Sequence, residues 1–360
     1  MEAPFSPRQR AVAALRCQAT DRACCVPLID NSYSAAVLGA PVSACFLDPR
    51  LHAESLAACL DRHPLIDGLS INLGLADEII SARRRTADGW LVETTGGLTW
   101  NVPENDIGSV CKREIVSFDD PRLRDENPFQ PAVLRTLEAL PAAYRQRWLV
   151  NAGVTGPFSQ VAFLLGLERT LLATVDDPAG LRRAIDLRLP LALAWVDALA
   201  AYDPAAVWIG EGFASSSLIS PAVYREFVLP YEQEVCKRVH AIGLPCVLHI
   251  CGKLAPGALD LIATSGVDCL EADWPVDLVQ ARARLGPGVA LKGNLNTTTL
   301  VQADAETIFK LSSELLEKMG RRPGYLLSSG CALGRDTPPA NVDAMARAAL
   351  AYAWPPSAYQ

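Results

Sequence analysis

The chain has 360 residues, half of them hydrophobic, with a formal net charge of −7 and a pI near 5.3. That length accommodates one large α/β barrel or two ordinary domains. No basic block or basic-aromatic stripe is present, which argues against a nucleic-acid partner, and no run of about 18 apolar residues predicts a membrane span.

The first residues, Met1-Glu2-Ala3-Pro4-Phe5, carry no apolar signal core, so a cytoplasmic, reducing setting is expected. Eleven cysteines are scattered among apolar neighbours, and most are expected to be reduced, buried small hydrophobes. Taken in chain order, short apolar runs predict strands at 25–30, 68–72, 148–152, 206–210, 246–250, 268–272, 289–293 and 325–328. Few polar residues alternate within them, as in parallel strands buried on both faces. Amphipathic stretches at 221–242, 254–265, 277–285 and 303–320 supply helical crossovers. Eight such units predict an α/β TIM (β/α)8 barrel, read as a single domain over residues 1–360.

One stretch breaks the alternation. Between 89 and 118, two β-like arms flank Gly96-Gly97, which predicts a β-hairpin inserted after the second strand. It either covers the barrel mouth or only packs against the body. Residues 119–131 read as a surface loop and 354–360 as a loosely held tail.

The chemistry concentrates late in the chain. His249 and Cys251 stand two apart at the end of the fifth predicted strand, so they share one side of it. Cys331 follows the eighth strand, in Ser328-Ser329-Gly330-Cys331. One imidazole and two thiolates make a three-ligand zinc site with a free fourth position, the catalytic pattern. A lone histidine is usually structural and a lone cysteine usually core, so spacing alone supports either reading. Cys24-Cys25 and Cys269 are alternatives for the third thiolate, but Cys25 and Cys269 lie within strand-like runs and read as core.

Around these residues a resemblance emerges. The strings Glu211-Gly212-Phe213-Ala214-Ser215-Ser216-Ser217-Leu218-Ile219-Ser220-Pro221, Glu226-Phe227-Val228-Leu229-Pro230-Tyr231 and His249-Ile250-Cys251-Gly252 resemble the uroporphyrinogen decarboxylase superfamily. More narrowly they look like its zinc-dependent, corrinoid-linked methyltransferase branch. Gly293-Asn294-Leu295-Asn296, Ser328-Ser329-Gly330-Cys331 and Thr337-Pro338-Pro339-Ala340-Asn341 continue the match, which spans roughly Arg22 to Ala349. The resemblance implies a TIM barrel with zinc (Zn2+) on His249, Cys251 and Cys331. It also implies methyl exchange between the cobalt of a corrinoid (cobalamin) and a small methyl donor or acceptor, with coenzyme M methyltransferases as the model. The parent decarboxylases place paired arginines after the first strand; here Val26-Pro27-Leu28-Ile29-Asp30-Asn31-Ser32-Tyr33 is followed by no arginine before Arg50. A tetrapyrrole with many carboxylates needs cations at the mouth, so decarboxylation is the weaker alternative. A zinc-stabilised barrel that only binds a corrinoid or tetrapyrrole is another.

Reacting groups in a barrel collect at the C-terminal strand ends. Glu211, after the fourth strand, is assigned as a displaceable ligand or general acid/base, against a structural carboxylate at the rim. Asp273, after the sixth strand, is a candidate to orient the imidazole, or a plain helix cap. Asn294 and Asn296 after the seventh, and Asn31 and Tyr33 after the first, are candidates for substrate contact or for loop hydrogen bonding. Lys292 is expected to pair with a carboxylate. The chain has four histidines and no Asp-x-His-x-x-Gly cobalamin motif, so the corrinoid is expected on a separate carrier protein. Direction of transfer and oligomeric state, including a homodimer, stay open.

Overall fold

A computed structural model describes residues 5–124, 129–320 and 322–352. Its strands in chain order are β1 (Cys24–Cys25), β2 (Gly68–Ile71), β3 (Ile80–Arg85), β4 (Gly89–Thr94), β5 (Leu98–Pro103), β6 (Ser109–Arg113), β7 (Leu149–Thr155), β8 (Ala206–Gly210), β9 (Cys246–Ile250), β10 (Cys269–Ala272), β11 (Ala290–Leu295) and β12 (Tyr325–Ser329). Eight of them form one parallel sheet in the order β1-β12-β11-β10-β9-β8-β7-β2. The seam between β1 and β2 is drawn together by Asp67, whose backbone N–H donates to the Cys25 carbonyl at 2.7 Å and whose carboxylate accepts from the Cys25 N–H at 2.9 Å. The result is a nearly closed TIM barrel.

The expected first strand, 25–30, contracts to Cys24–Cys25. Val26 still donates to the Leu327 carbonyl, but Pro27 has no N–H and ends the ladder. The expected helix over 221–242 is two helices, Pro221–Phe227 and Leu229–Ala241, with Pro230 in the first turn of the second. A proline there is tolerated as a helix start and not as a continuation. The expected hairpin is present as β4 and β5, but it belongs to a four-stranded antiparallel sheet, β3-β4-β5-β6. Its outer strands are mostly exposed and polar, Ile80–Arg85 carrying three arginines, so their apolar signal is weak. Within 119–131, Pro121–Arg124 forms a 3-10 turn and a helix begins at Gln130; the tail expected at 354–360 lies outside the described residues.

Alternation along the strands sorts the barrel interior. Its lower part is apolar: Cys24, Leu149, Ala206, Val247, Cys269, Ala290 and Leu326 cluster with Ala11, Ala14 and Leu15 of the helix Pro7–Leu15, which plugs the bottom. Two residues further along each strand the interior turns polar, with Asn151, Trp208, His249, Glu271, Lys292 and Ser328, joined by Ser70 of β2. Barrel interiors are normally filled by bulky branched residues. A polar girdle above an apolar floor therefore marks this end of the barrel as the place of the candidate site. One step higher stand Gly153, Gly210, Cys251, Asp273 and Gly330, and the glycines leave the mouth open. Among the described residues, no single helix is long and apolar enough to cross a membrane.

Candidate metal centre

β9 delivers His249 and Cys251, and the turn after β12 delivers Cys331. That turn is anchored to β11 by the Gly330 N–H, which donates to the Leu295 carbonyl at 2.7 Å. A Cβ on Gly330 would lie 2.5 Å from the Trp274 backbone nitrogen, so only glycine fits this approach. One ligand atom from each of His249, Cys251 and Cys331 lies within 4.8 Å of the others.

The imidazole is oriented from behind. His249 Nδ1 lies 3.1 Å from the Glu271 carbonyl oxygen and donates to it, which leaves the Nε2 lone pair free. Nε2 faces Cys251 Sγ at 3.3 Å and Cys331 Sγ at 3.9 Å. Trp208 stacks on the ring, with centroids 5.5 Å apart and planes 21° from parallel. The Trp208 indole N–H donates to the Glu271 carboxylate, whose other oxygen pairs with Lys292. Glu271 and Lys292 are both buried. Burial works against charge on Glu271, but Lys292 and His249 outweigh it and hold its pKa below the ordinary value.

The two thiols behave as one unit. The hydrogen bond from Cys251 comes first among the causes that pull the Cys331 pKa down to about 4, helped by His249, while the same contact pushes Cys251 far up. At His249 burial opposes charge, but Cys331 and Glu271 raise its pKa.

The other candidates are distributed unevenly. Asp273 sits at the mouth but does not orient the imidazole, a task the Glu271 carbonyl performs. Its carboxylate instead accepts from the Gly252 N–H and the Trp274 N–H, each at 2.7 Å, bracing the turn that holds Cys251. Asn294 donates to the Asp273 and Val276 carbonyls, and Asn296 caps the helix Thr297–Gln302. Asn31 donates from Nδ2 to the Leu73 carbonyl at 2.8 Å, and its Oδ1 is buried without a partner. Tyr33 stands apart: fully buried, it pairs its hydroxyl with His63 Nε2 at 2.8 Å. Glu211 is fully buried and outside the cluster. Three residues beyond the inward Trp208, it lies on the helix side of β8, where Oε2 accepts from the Ser159 N–H at 3.0 Å and hydroxyl at 2.6 Å. Burial pushes its pKa up to about 7. Its backbone N–H donates to the His249 carbonyl at 3.0 Å, which ties it to the centre through the main chain.

Glu271, Trp208 and Asp30 escaped the sequence reading. The first two sit inside strands, and their signal was the period-two alignment with inward-facing neighbours. Asp30 is buried, caps Asn31, and has a pKa raised to about 7 by burial and by the nearby Cys331.

A family model described as uroporphyrinogen decarboxylase (URO-D) matches residues 90–352. The chain belongs to the uroporphyrinogen decarboxylase family. Relatives carry two kinds of name. A uroporphyrinogen decarboxylase of Anaeromyxobacter sp. (strain Fw109-5) is 27% identical over 229 residues, 62% of this chain and 64% of that protein. A methylated-thiol–coenzyme M methyltransferase of Methanosarcina mazei is 29% identical over 219 residues, 61% of this chain and 57% of that protein. The chain thus aligns with less than two-thirds of the length of either. A solved methyltransferase from Methanosarcina mazei shares the fold, with a TM-score of 0.78 over 97% of this chain and 99% of the other at 20% identity.

Proposed function

We propose that this chain is a zinc-dependent methyltransferase that moves a methyl group between a corrinoid cobalt and a small substrate, either a thiol acceptor or a methyl ether or alcohol donor. The observation that carries the reading is His249 Nε2 facing two cysteine sulfurs, at 3.3 and 3.9 Å, with Nδ1 turned to the Glu271 carbonyl. The donor set fits zinc. Bonds of about 2.0 Å to nitrogen and about 2.3 Å to sulfur in a tetrahedron separate the ligand atoms by about 3.5–3.8 Å. The 3.3 and 3.9 Å contacts bracket that spacing. Zinc held by His249, Cys251 and Cys331 would supply the lowered pKa of a thiol, or Lewis acidity toward an ether or alcohol oxygen.

The chain's own residues keep that centre in place. Glu271 fixes the histidine tautomer, Trp208 fixes the plane of the ring, and Asp273 pins the turn carrying Cys251. Glu211 enters the proposal as a positioning residue through its main-chain bond to His249. The corrinoid is proposed to come from a carrier protein. Of the other histidines, His63 is held by Tyr33 and Asp343, His240 by Asp268, and His52 is buried, so none is free to hold cobalt at the mouth.

Several relatives are named as decarboxylases, which makes decarboxylation the second reading. Against it, the segment after β1 offers Asp30 and Asn31 where a poly-carboxylate substrate requires cations. Arg10 and Arg22 are engaged with Asp67 at the other end of the barrel.

The test combines zinc content with methylcobalamin demethylation over a panel of thiols, and cob(I)alamin methylation over a panel of methyl ethers and alcohols, on wild type, Cys251→Ala and Cys331→Ala. About one zinc per chain in the wild type, lost with activity in folded variants, supports the reading. A folded wild type that takes up no zinc sinks it. Variants that unfold on losing zinc point instead to a structural metal in a non-catalytic barrel.

A further inference from the structure

Beyond β8 from His249 and Cys251, the barrel wall made by β7, β2 and the turn after β1 carries three asparagines whose side chains are not saturated. Asn151 is fully buried on β7. It faces inward because Leu149, two residues earlier, belongs to the apolar floor of the barrel. Its amide reaches Ser70 of the paired strand at 3.3 Å, and its Oδ1 has no partner. Asn72 follows β2 two residues beyond Ser70, so it stands above Ser70 on the same inward side. It is 6% exposed, and its Oδ1 is also without a partner. Gly153 makes room for it: a Cβ there would lie 3.0 Å from the Asn72 Cα and 3.1 Å from its Oδ1. Asn31 adds a third buried, unpartnered Oδ1, and its orientation is fixed because Nδ2 donates to the Leu73 carbonyl.

Three buried carboxamide oxygens without partners are costly unless something donates to them. Asn72 and Asn151 face the barrel interior that His249 also faces, and among the described residues no arginine or lysine side chain bonds to the three oxygens. Arg335, beyond Cys331, directs its guanidinium to the Ala40 carbonyl.

Resting on the methyltransferase reading above, we infer that Asn31, Asn72 and Asn151 form the subsite for the non-reacting end of the substrate. That end is a neutral or cationic hydrogen-bond donor, a hydroxyl or an ammonium. An anionic tail would set its oxygens against the three carboxamide oxygens, and no side chain of the wall brings a positive charge to offset them. Substrate choice is thereby assigned to the wall facing the metal, and the reacting sulfur or oxygen to the metal side.

Three thiols of one length separate the cases: 2-mercaptoethanol with a hydroxyl, cysteamine with an ammonium and 2-mercaptoethanesulfonate with an anion. Their KM and kcat are measured with methylcobalamin on the zinc-loaded full chain, and their binding by calorimetric titration without corrinoid. The expected result is tighter binding and lower KM for the first two than for the sulfonate. Asn72→Ala and Asn151→Ala should each raise KM for those two by roughly five- to tenfold, the size of one hydrogen bond, with kcat and zinc content unchanged. Asn72→Ala answers alone if the more deeply buried Asn151→Ala fails to fold. A sulfonate that binds as well as the others, or variants that leave the ranking intact, overturn the subsite while methyl transfer stands. A wild type that neither demethylates methylcobalamin with any thiol nor methylates cob(I)alamin from any methyl ether or alcohol overturns the methyltransferase reading itself, and the subsite with it.

Discussion

His249 Nδ1 donates to the main-chain carbonyl of Glu271, the residue directly across from it on the neighbouring strand. The hydrogen-bond acceptor is therefore backbone, while the Glu271 carboxylate, 3.6 Å from the same Nδ1, takes its bonds from two other residues, Trp208 and Lys292. Imidazole orientation and the buried ion pair are distinct functions of one residue, and they can be separated by mutation.

Trp208→Ala removes both the stack on His249 and the indole hydrogen bond to Glu271. Loss of a residue that supports a metal ligand costs about 10- to 100-fold in metal affinity. Zinc affinity measured by chelator competition should fall by that order, and Trp208→Phe, which keeps a ring over the imidazole, should lie between the two. Equal affinity in wild type and Trp208→Ala would show that the stack does not position the ligand.

Lys292→Met leaves the Glu271 carboxylate buried with no cation beside it. Breaking one side of a buried pair costs about 3–5 kcal/mol, whereas replacing both partners is often close to neutral. Urea denaturation should show that loss for the single variant and recovery of much of it in Glu271→Gln/Lys292→Met. Because the histidine bond goes to the Glu271 backbone, the double variant should still bind zinc.

Behind the centre, Glu211 and Glu232 are fully buried acids whose pKa values burial raises to about 7 and about 8. Both are above the unfolded value of roughly 4.3, so the fold holds more protons than the unfolded chain in between. Their contribution to stability is complete below the unfolded pKa and is lost as pH rises through 7 and 8. The decline is at most about 1.4 kcal/mol per pH unit for each group. Urea midpoints taken from pH 5.5 to 9 should fall, and Glu232→Gln should flatten the slope. A midpoint that rises with pH in this window would contradict the sign.

At the opposite end, Asp67 accepts from Arg10, Arg22 and the Cys25 N–H across the barrel seam. Asp67→Asn removes the counter-charge of Arg22 and one of the two that Arg10 has, Asp21 being the other, and should lower stability by about 3 kcal/mol. Thermal unfolding should register this while zinc affinity, set at the other end of the strands, stays as in the wild type.

Much of the architecture was readable in advance. Runs such as Cys246–Ile250 and Ala206–Gly210 are uniformly apolar because both faces of a barrel strand are buried, and their period is visible without tertiary information. The outer strands of the inserted sheet were not readable. Ile80–Arg85 is exposed along most of its length and is held by pairing to β4, which leaves no hydrophobic signature. Glu211 was placed near the mouth by its position after a strand, and the structure turns its side chain to the helix shell. One residue of pleat decides that direction, and the end of a strand is where the pleat is hardest to count.

The sequence by itself determined the barrel and the type of candidate ligands, because composition, period and the i, i+2 spacing of His249 and Cys251 are local properties of the chain. Only the tertiary structure decided which carbonyl orients the imidazole, that Asp273 braces a turn, and that Tyr33 belongs to the helix shell. The same holds for the three asparagine Oδ1 atoms left without partners on the wall of β7, β2 and the turn after β1. Those relations join residues 21 to 82 or more positions apart, across strands whose register is set by pairing and closure of the sheet. No local pattern encodes that register: it emerges when the apolar floor of the barrel packs and fixes each strand against its neighbour.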